Sequence, residues 1–209
     1  MDSGGSPALD VERLVLPMQG RLARLEPLAA GHEDALYAAA RHREIWEWFP
    51  LDPAPDRDAF AGWSAQWREE LERREVIRFA TLDARTGAAI GSTSYLNLEP
   101  GNCGVEIGWT WLAPTAWDTG INADAKLLML RQAFAAGAIR VALMTDERNA
   151  RSRRAIAAIP ATFEGVLRDH RILASGRRRS SAVYSVLEAE WPDVEPALER
   201  RVARHAGPA

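Results

Sequence analysis

The 209-residue sequence holds a single cysteine, Cys103. That excludes an intrachain disulfide and any metal site built from several thiolates, and it fits a reducing compartment. No apolar run reaches the roughly 20 residues needed to cross a bilayer. The opening "MDSGGSPALD" has neither a basic segment nor an apolar one, so it does not read as a secretory signal. A soluble, cytoplasmic protein is expected. The four histidines, His32, His42, His170 and His205, lack metal-ligand spacing, so no metal is expected. An excess of one charge is also missing: 26 basic and 29 acidic residues leave a net charge of −3. That balance disfavours bulk electrostatic binding of nucleic acid, and no membrane partner is expected. Internal repeats, linkers and low-complexity stretches are lacking too.

What is present is an ordinary globular balance, 47% apolar and 26% charged. The length suits one sizeable domain. Residues 1–17 read as a mobile tail, 18–192 as the domain, and 193–209 as a C-terminal helix or tail ending in a loose "HAGPA". "GRLARLEPL" (20–28) reads as a first strand. "AGHEDALYAAARHREIWEWF" (30–49) has helical spacing through Leu36, Tyr37 and Ala40 and breaks at Pro50. "LDPAPD" is a loop with Asp56 as N-cap. "RDAFAGWSAQWREELERRE" (57–75) spaces Phe60, Trp63 and Trp67 as an amphipathic helix.

The period then changes to two. "VIRFATLDA" (76–84), "AAIGSTSYLNL" (88–98) and "CGVEIGWTWLAP" (103–114) form an antiparallel meander. Simple alternation puts Val105, Ile107, Trp109 and Trp111 on one face of the last strand, and Glu106, Gly108 and Thr110 on the other. "INADAKLLMLRQAFAAG" (121–137) is apolar nearly all round and should be buried, with Gly137 as its stop. "AIRVALMT" (138–145) is a strand and "DERNARSRRAIAAIP" (146–160) a short helix. "TFEGVLRDHRILA" (162–174) and "RRSSAVYSVLEAEW" (178–191) make a final hairpin. The economical reading is one α+β domain with a mixed sheet.

Strand 103–112, helix 121–137 and strand 138–145 form a βαβ unit. The loop "PTAWDTGINADAK" (114–126) therefore opens a helix whose free N–H groups suit an anion. With one glycine, Gly120, the loop also reads as a plain cap in which Asp118 or Thr119 accepts the first N–H groups.

Several stretches resemble the GNAT acyl-CoA N-acetyltransferases, in particular the RimJ/RimL-like branch of ribosomal-protein N-terminal acetyltransferases. They are "VEIGWTWLAPTAWDTGINADAKLLMLRQAF" (105–134), "TDERNARSRRAI" (145–156), "TFEGVLRDHRI" (162–172) and "VYSVLEAEW" (183–191). The resemblance runs from about Gly20 to Trp191. It implies a mostly antiparallel mixed sheet with helices on both faces and a splayed parallel pair near 103–112 and 138–145. It also implies acetyl-CoA as co-substrate and a primary amine, a small molecule or a protein N-terminus, as acceptor. The amine would attack the thioester directly through a tetrahedral intermediate. On the same ground a homodimer through a sheet edge or the N-terminal helices is one reading of the assembly.

Carried onto this sequence, the backbone at Trp109, Thr110 and Trp111 would pair with the pantetheine arm. The loop Trp117, Asp118, Thr119, Gly120, Ile121 and Asn122 would take the pyrophosphate. Asn149 matches the asparagine that contacts the cofactor arm, and Ser152 the polar position near the thioester sulfur. Glu106 is the candidate base, although it also reads as an exposed acid on a solvated face. Of Arg151, Arg153 and Arg154, one should lie near the cofactor, and Arg153 is the expected one. Trp46 and Trp48 are candidates to line the acceptor cleft. "GRRRS" (176–180) reads as solvated hairpin-tip charge. A nucleic-acid role for Arg177 to Arg179 is the weakest reading.

Two positions depart from the family. Asp118 stands where a glycine or small residue is usual, and a carboxylate there would repel pyrophosphate by about 1 kcal/mol. "IPA" (159–161) replaces a leucine–glycine–alanine turn, and Pro160 should not adopt a positive φ. Both give weight to an alternative: a weakened GNAT-fold module that binds CoA or a protein partner without turnover.

Overall fold

A computed structural model describes residues 8–52, 56–173 and 175–206. Residues 1–7, 53–55, 174 and 207–209 lie outside the described residues. With them go the start of the expected tail, the middle of "LDPAPD" and the end of "HAGPA".

The strands are β1 (Met18–Gln19), β2 (Ala23–Pro27), β3 (Ile77–Asp83), β4 (Ala89–Glu99), β5 (Gly104–Leu112), β6 (Arg140–Asp146), β7 (Thr162–Ile172) and β8 (Arg178–Leu187). Among the described residues they form one sheet in the order β1-β2-β3-β4-β5-β6-β8-β7. Every neighbouring pair is antiparallel except β5 and β6. The helices are α1 (Val11–Leu14), α2 (Glu33–Ala40), α3 (Arg57–Glu72), α4 (Ile121–Ala135), α5 (Ala150–Ala157) and α6 (Trp191–Ala206). None is long and apolar enough to cross a membrane.

Two cores flank the sheet. One gathers α1, α4 and α6 around Leu25, Phe79, Val105, Ile107 and Val141. The other packs α2 and α3 over Ala80, Leu82 and Trp111. Ten residues of α4 are buried, as its all-round apolar sequence requires. One of them is the acid Asp124. It accepts the N–H groups of Leu22 (2.6 Å) and Ala23 (2.9 Å) and so ties the first turn of α4 to the start of β2. Gly20 makes room for that carboxylate, because any Cβ at that position would collide with it.

The aromatic segment does not continue one helix over 30–49. α2 stops at Ala40, and the indole N–H of Trp46 donates to the Ala40 carbonyl at 2.8 Å. This bond satisfies a helix-end carbonyl and folds Trp46 back against Trp63 and Trp111. Asp56 does cap α3, through the N–H of Asp58. The helix after β6 begins at Ala150 rather than 146, with Asn149 as its cap. Pro160 takes a φ of 31°, contrary to expectation.

Part of the expected N-terminal tail is packed, and the helix that is one reading of 193–209 is present. From residue 8 the N-terminal stretch is packed: Leu9 and Leu14 are buried, and the Asp10 N–H donates to Ala136. At the other end α6 buries Val194, Leu198 and Val202 and runs through His205. Trp191 starts that helix and stacks on Phe134, with ring centroids 5.2 Å apart.

Candidate active site

Strands β5 and β6 pair from Gly104–Arg140 to Ile107–Leu143 and no further, although both run on. The outer edge of β6 stays bonded to β8 as far as Asp146–Ser181. The two parallel strands therefore splay apart, and the β5 backbone beyond Ile107 is left without a strand neighbour on that side.

A bulge in β5 accompanies the splay. Trp109 has a φ of 49°, and the register with β4 slips between Ser94–Gly108 and Ser92–Trp111. An extra residue in a strand re-aims every side chain after it. Val105 and Ile107 face the α4 core, while Trp109 and Trp111 pack on the α2–α3 side. The expected single face of Val105, Ile107, Trp109 and Trp111 is thus broken between Ile107 and Trp109. Thr110 turns toward α4 instead, where it meets Lys126.

The opening forms a cavity of about 350 Å³. From β5, Glu106, Trp109, Thr110 and Trp111 line it. Trp117, Asp118, Gly120 and Asn122 line it from the loop and the start of α4. Asn149, Ser152 and Trp48 complete the group. Four expected site residues lie elsewhere. Trp46 is buried in the aromatic core. Ile121 is buried in the core beside α4. Thr119 turns its hydroxyl to the Ala116 carbonyl at 2.8 Å. Arg153 donates to the Tyr184 hydroxyl and the Glu147 carbonyl. Arg151 takes the place expected of Arg153: it lines the cavity, with its guanidinium carbon 3.5 Å from the Trp117 ring centroid.

The loop 117–120 is not a side-chain cap. Gly120 is the N-cap of α4 at a φ of 85°, and no side chain closes the helix start. Asp118 is exposed, at a φ of 59°, and its charge acts on Arg151. The Oδ1 atom of Asn122 is buried without a hydrogen-bond partner among the described residues. An uncapped helix start is suited to an anionic group, whereas the Asn122 oxygen calls for a donor.

Glu106 is only 7% exposed, so it is not an acid on a solvated face. It accepts from Asn97 Nδ2 at 2.8 Å. Burial pushes its carboxyl above the ordinary glutamate value, against the pull of Asn97, Arg171 and Arg179. Asn149 caps α5 by accepting the Ser152 N–H at 3.0 Å while also lining the cavity. Among the described residues no group of three or more His, Cys, Asp or Glu side chains could hold a metal ion.

Several cavity residues escaped sequence reasoning. Arg201 and His205 reach the cavity from α6, and no site role was expected of that helix. Arg171 and Arg179 enter from the hairpin, including one arginine of the "GRRRS" run expected in solvent. Lys126 is the only lysine of the chain, and a lone lysine in an apolar helix was the one signal available. It is buried, and its amine donates to Thr110 Oγ1 at 2.6 Å and Thr93 Oγ1 at 3.0 Å, behind the bulge. Burial lowers its pKa to about 7.

That depression has a sign in stability. Between pH 7 and 9 the unfolded chain holds a proton on Lys126 that the folded chain has begun to release, so stability rises with pH. Below about pH 7 both states hold the proton, the gain is lost and the slope vanishes. Urea denaturation across that window is expected to show a positive slope, on the order of 1 kcal/mol per pH unit at most. Lys126→Met should flatten it; a variant with the same slope would remove Lys126 as its source.

The acetyltransferase (GNAT) domain family model matches residues 23–160. Among solved structures, a GCN5-related N-acetyltransferase from Brucella melitensis is 29% identical with a TM-score of 0.86, covering 96% of this chain and 90% of that one. A candidate acetyltransferase from T. thermophilus is 36% identical with a TM-score of 0.80, covering 90% and 97%. Mycobacterium smegmatis RimJ, solved with CoA-disulfide, shares the fold at 19% identity and a TM-score of 0.76, covering 89% and 93%. No match is found among curated proteins.

Proposed function

As the chain belongs to the GNAT family and is an acetyl-CoA-dependent N-acetyltransferase, we propose that it acetylates a primary amine by direct attack, with Glu106 as the base. The observation that carries this reading is the splayed pair at the Trp109 bulge, with a buried carboxylate on one strand and an uncapped helix start beyond it. The residues present fit the co-substrate. Gly120 and the free start of α4 suit its pyrophosphate, and Arg151 adds a cation beside Trp117. The unpaired β5 backbone at Trp109 to Trp111 suits the pantetheine arm as an added strand.

The amine arrives protonated, and Glu106 takes that proton. The freed lone pair attacks the acetyl carbonyl carbon, and the carbonyl oxygen becomes an oxyanion. A β5 N–H at the bulge donates to it. The C–S bond then breaks; the second proton of the attacking nitrogen passes through the Ser152 hydroxyl, directly or by a water, to the leaving thiolate, and Glu106 releases its proton to solvent. The RimJ/RimL resemblance supports a protein N-terminus as acceptor, and a small amine is the other class.

The first test is thermal stabilisation by acetyl-CoA, with CoA and an unrelated nucleotide for comparison. At a hundredfold excess over Kd, stabilisation by about 2.7 kcal/mol is expected. No shift at millimolar acetyl-CoA would sink the reading. A second reading is a binding module, favoured by Asp118, an acid among the residues that line the cavity beside the start of α4. A shift without transfer to any amine would support it.

A further inference from the structure

The β7–β8 hairpin places Arg171 directly opposite Arg179. Like charges facing each other across a strand pair are destabilising. Their neighbours are neutralised: Arg177 pairs with Asp146 at 2.7 Å, and Arg178 with Asp169 at 2.9 Å. Neither the Arg171 nor the Arg179 side chain has an ion pair or a hydrogen bond among the described residues, and Arg179 Nε is buried without a partner. Both line the cavity. The carboxylates whose charge reaches Arg179 are Asp146 and Glu106. Asp146 is committed to Arg177 and the Arg148 N–H, and Glu106 to Asn97. The chain thus brings two guanidinium groups to the cavity wall and gives them no anion.

This basic pair is separate from the helix start. It acts on Glu106, whereas the loop to α4 follows the far end of β5. Five residues of strand separate Glu106 from Trp111, roughly 15 Å at the usual rise. The two arginines therefore stand at the end of the cavity where the base stands.

We propose that Arg171 and Arg179 form a carboxylate subsite, and that the acceptor is a small primary amine bearing a carboxylate, of the free amino acid type. This rests on the acetyltransferase reading above, and it chooses the small amine over the protein N-terminus. A guanidinium fork meets a carboxylate through two parallel N–H···O bonds. With that group held, the amine is presented to Glu106. A chain N-terminus carries an amide at the same place and would leave the pair uncompensated.

The test uses the full chain with acetyl-CoA and free amino acids, each matched with its own carboxamide. The acids are expected to exceed the amides in kcat/KM by about 100-fold. Arg171→Gln and Arg179→Gln should raise KM for the acid about 10- to 100-fold, with a smaller change in kcat, and bring acid and amide together. The thermal shift with acetyl-CoA should be unchanged. Arg179→Lys keeps the charge without the fork and should recover part of the loss.

Equal use of acids and amides, or preference for neutral peptide N-termini, overturns the proposal. Loss of acetyl-CoA binding in the glutamine variants does so too, because the pair would then serve the cofactor. The subsite also has a readout without turnover: amino acids, but not their amides, should stabilise the CoA-loaded wild type and not the variants. No carboxylate-dependent shift refutes the subsite even if amines are acetylated. No acetyl-CoA shift refutes the acetyltransferase reading instead.

Discussion

Glu106→Gln is expected to lower kcat by about 100-fold or more while leaving acetyl-CoA affinity unchanged. The exchange is nearly isosteric, and a glutamine oxygen can still accept from Asn97 Nδ2. What is lost is the capacity to hold the amine's proton. The pH profile gives a second readout. Burial raises the Glu106 pKa, and a base works only when unprotonated. The acid limb of kcat/KM should therefore lie above the ordinary glutamate range, with activity falling about tenfold per pH unit below it. The variant should lack that limb.

Stability separates this from unfolding. A carboxyl whose folded pKa is raised contributes stability below its unfolded value and loses it as pH rises through the folded one. Glutamine stays neutral throughout, so the variant should be at least as stable as the wild type at pH 8. Steady-state kinetics at saturating acetyl-CoA and a urea melt at the same pH decide the matter. Unchanged turnover would remove Glu106 from the mechanism.

The parts of the site that local pattern specifies were readable in the chain. The burial of α4 follows from apolar residues on all its sides, and the parallel pair follows from strand, crossover helix and strand. Other parts depend on a partner distant in sequence. The bulge at Trp109 is a slip against β4, and simple alternation along β5 carries no trace of it. Trp46 looked like the end of a long helix because its bond to the Ala40 carbonyl is a tertiary event. Arg179 sits in a basic run that usually lies in solvent. Only its pairing opposite Arg171, with both side chains on the cavity wall, gives it a place. In the loop before α4, the place of the helix start was legible and its capping was not. Asp118 and Thr119 looked like caps, yet the helix start is left open by the glycine after them.

Gly120→Ala should therefore damage the cofactor end more than its single methyl suggests. The residue sits at a φ of 85°, where a Cβ costs about 1–2 kcal/mol. That Cβ would also lie 2.6 Å from His205 Cβ, 2.7 Å from its Cγ and 2.9 Å from its Cδ2. Either the last turn of α6 moves away or the loop gives up its left-handed turn, and in both cases the N–H groups opening α4 are re-aimed. Stability is expected to fall by about 1–3 kcal/mol in urea denaturation. Acetyl-CoA Kd should rise at least about tenfold by calorimetry, while kcat at saturation changes less than for Glu106→Gln.

Adding His205→Ala removes the ring contacts but neither the Cβ contact nor the backbone strain, so recovery should be partial. His205→Ala alone leaves Gly120 free to hold its turn and should not cost stability comparably. A Gly120→Ala protein that binds acetyl-CoA like the wild type would show that this helix start is not where the anion rests. The pyrophosphate would then need other donors along the cavity, with Arg151 and Arg201 the nearest to test.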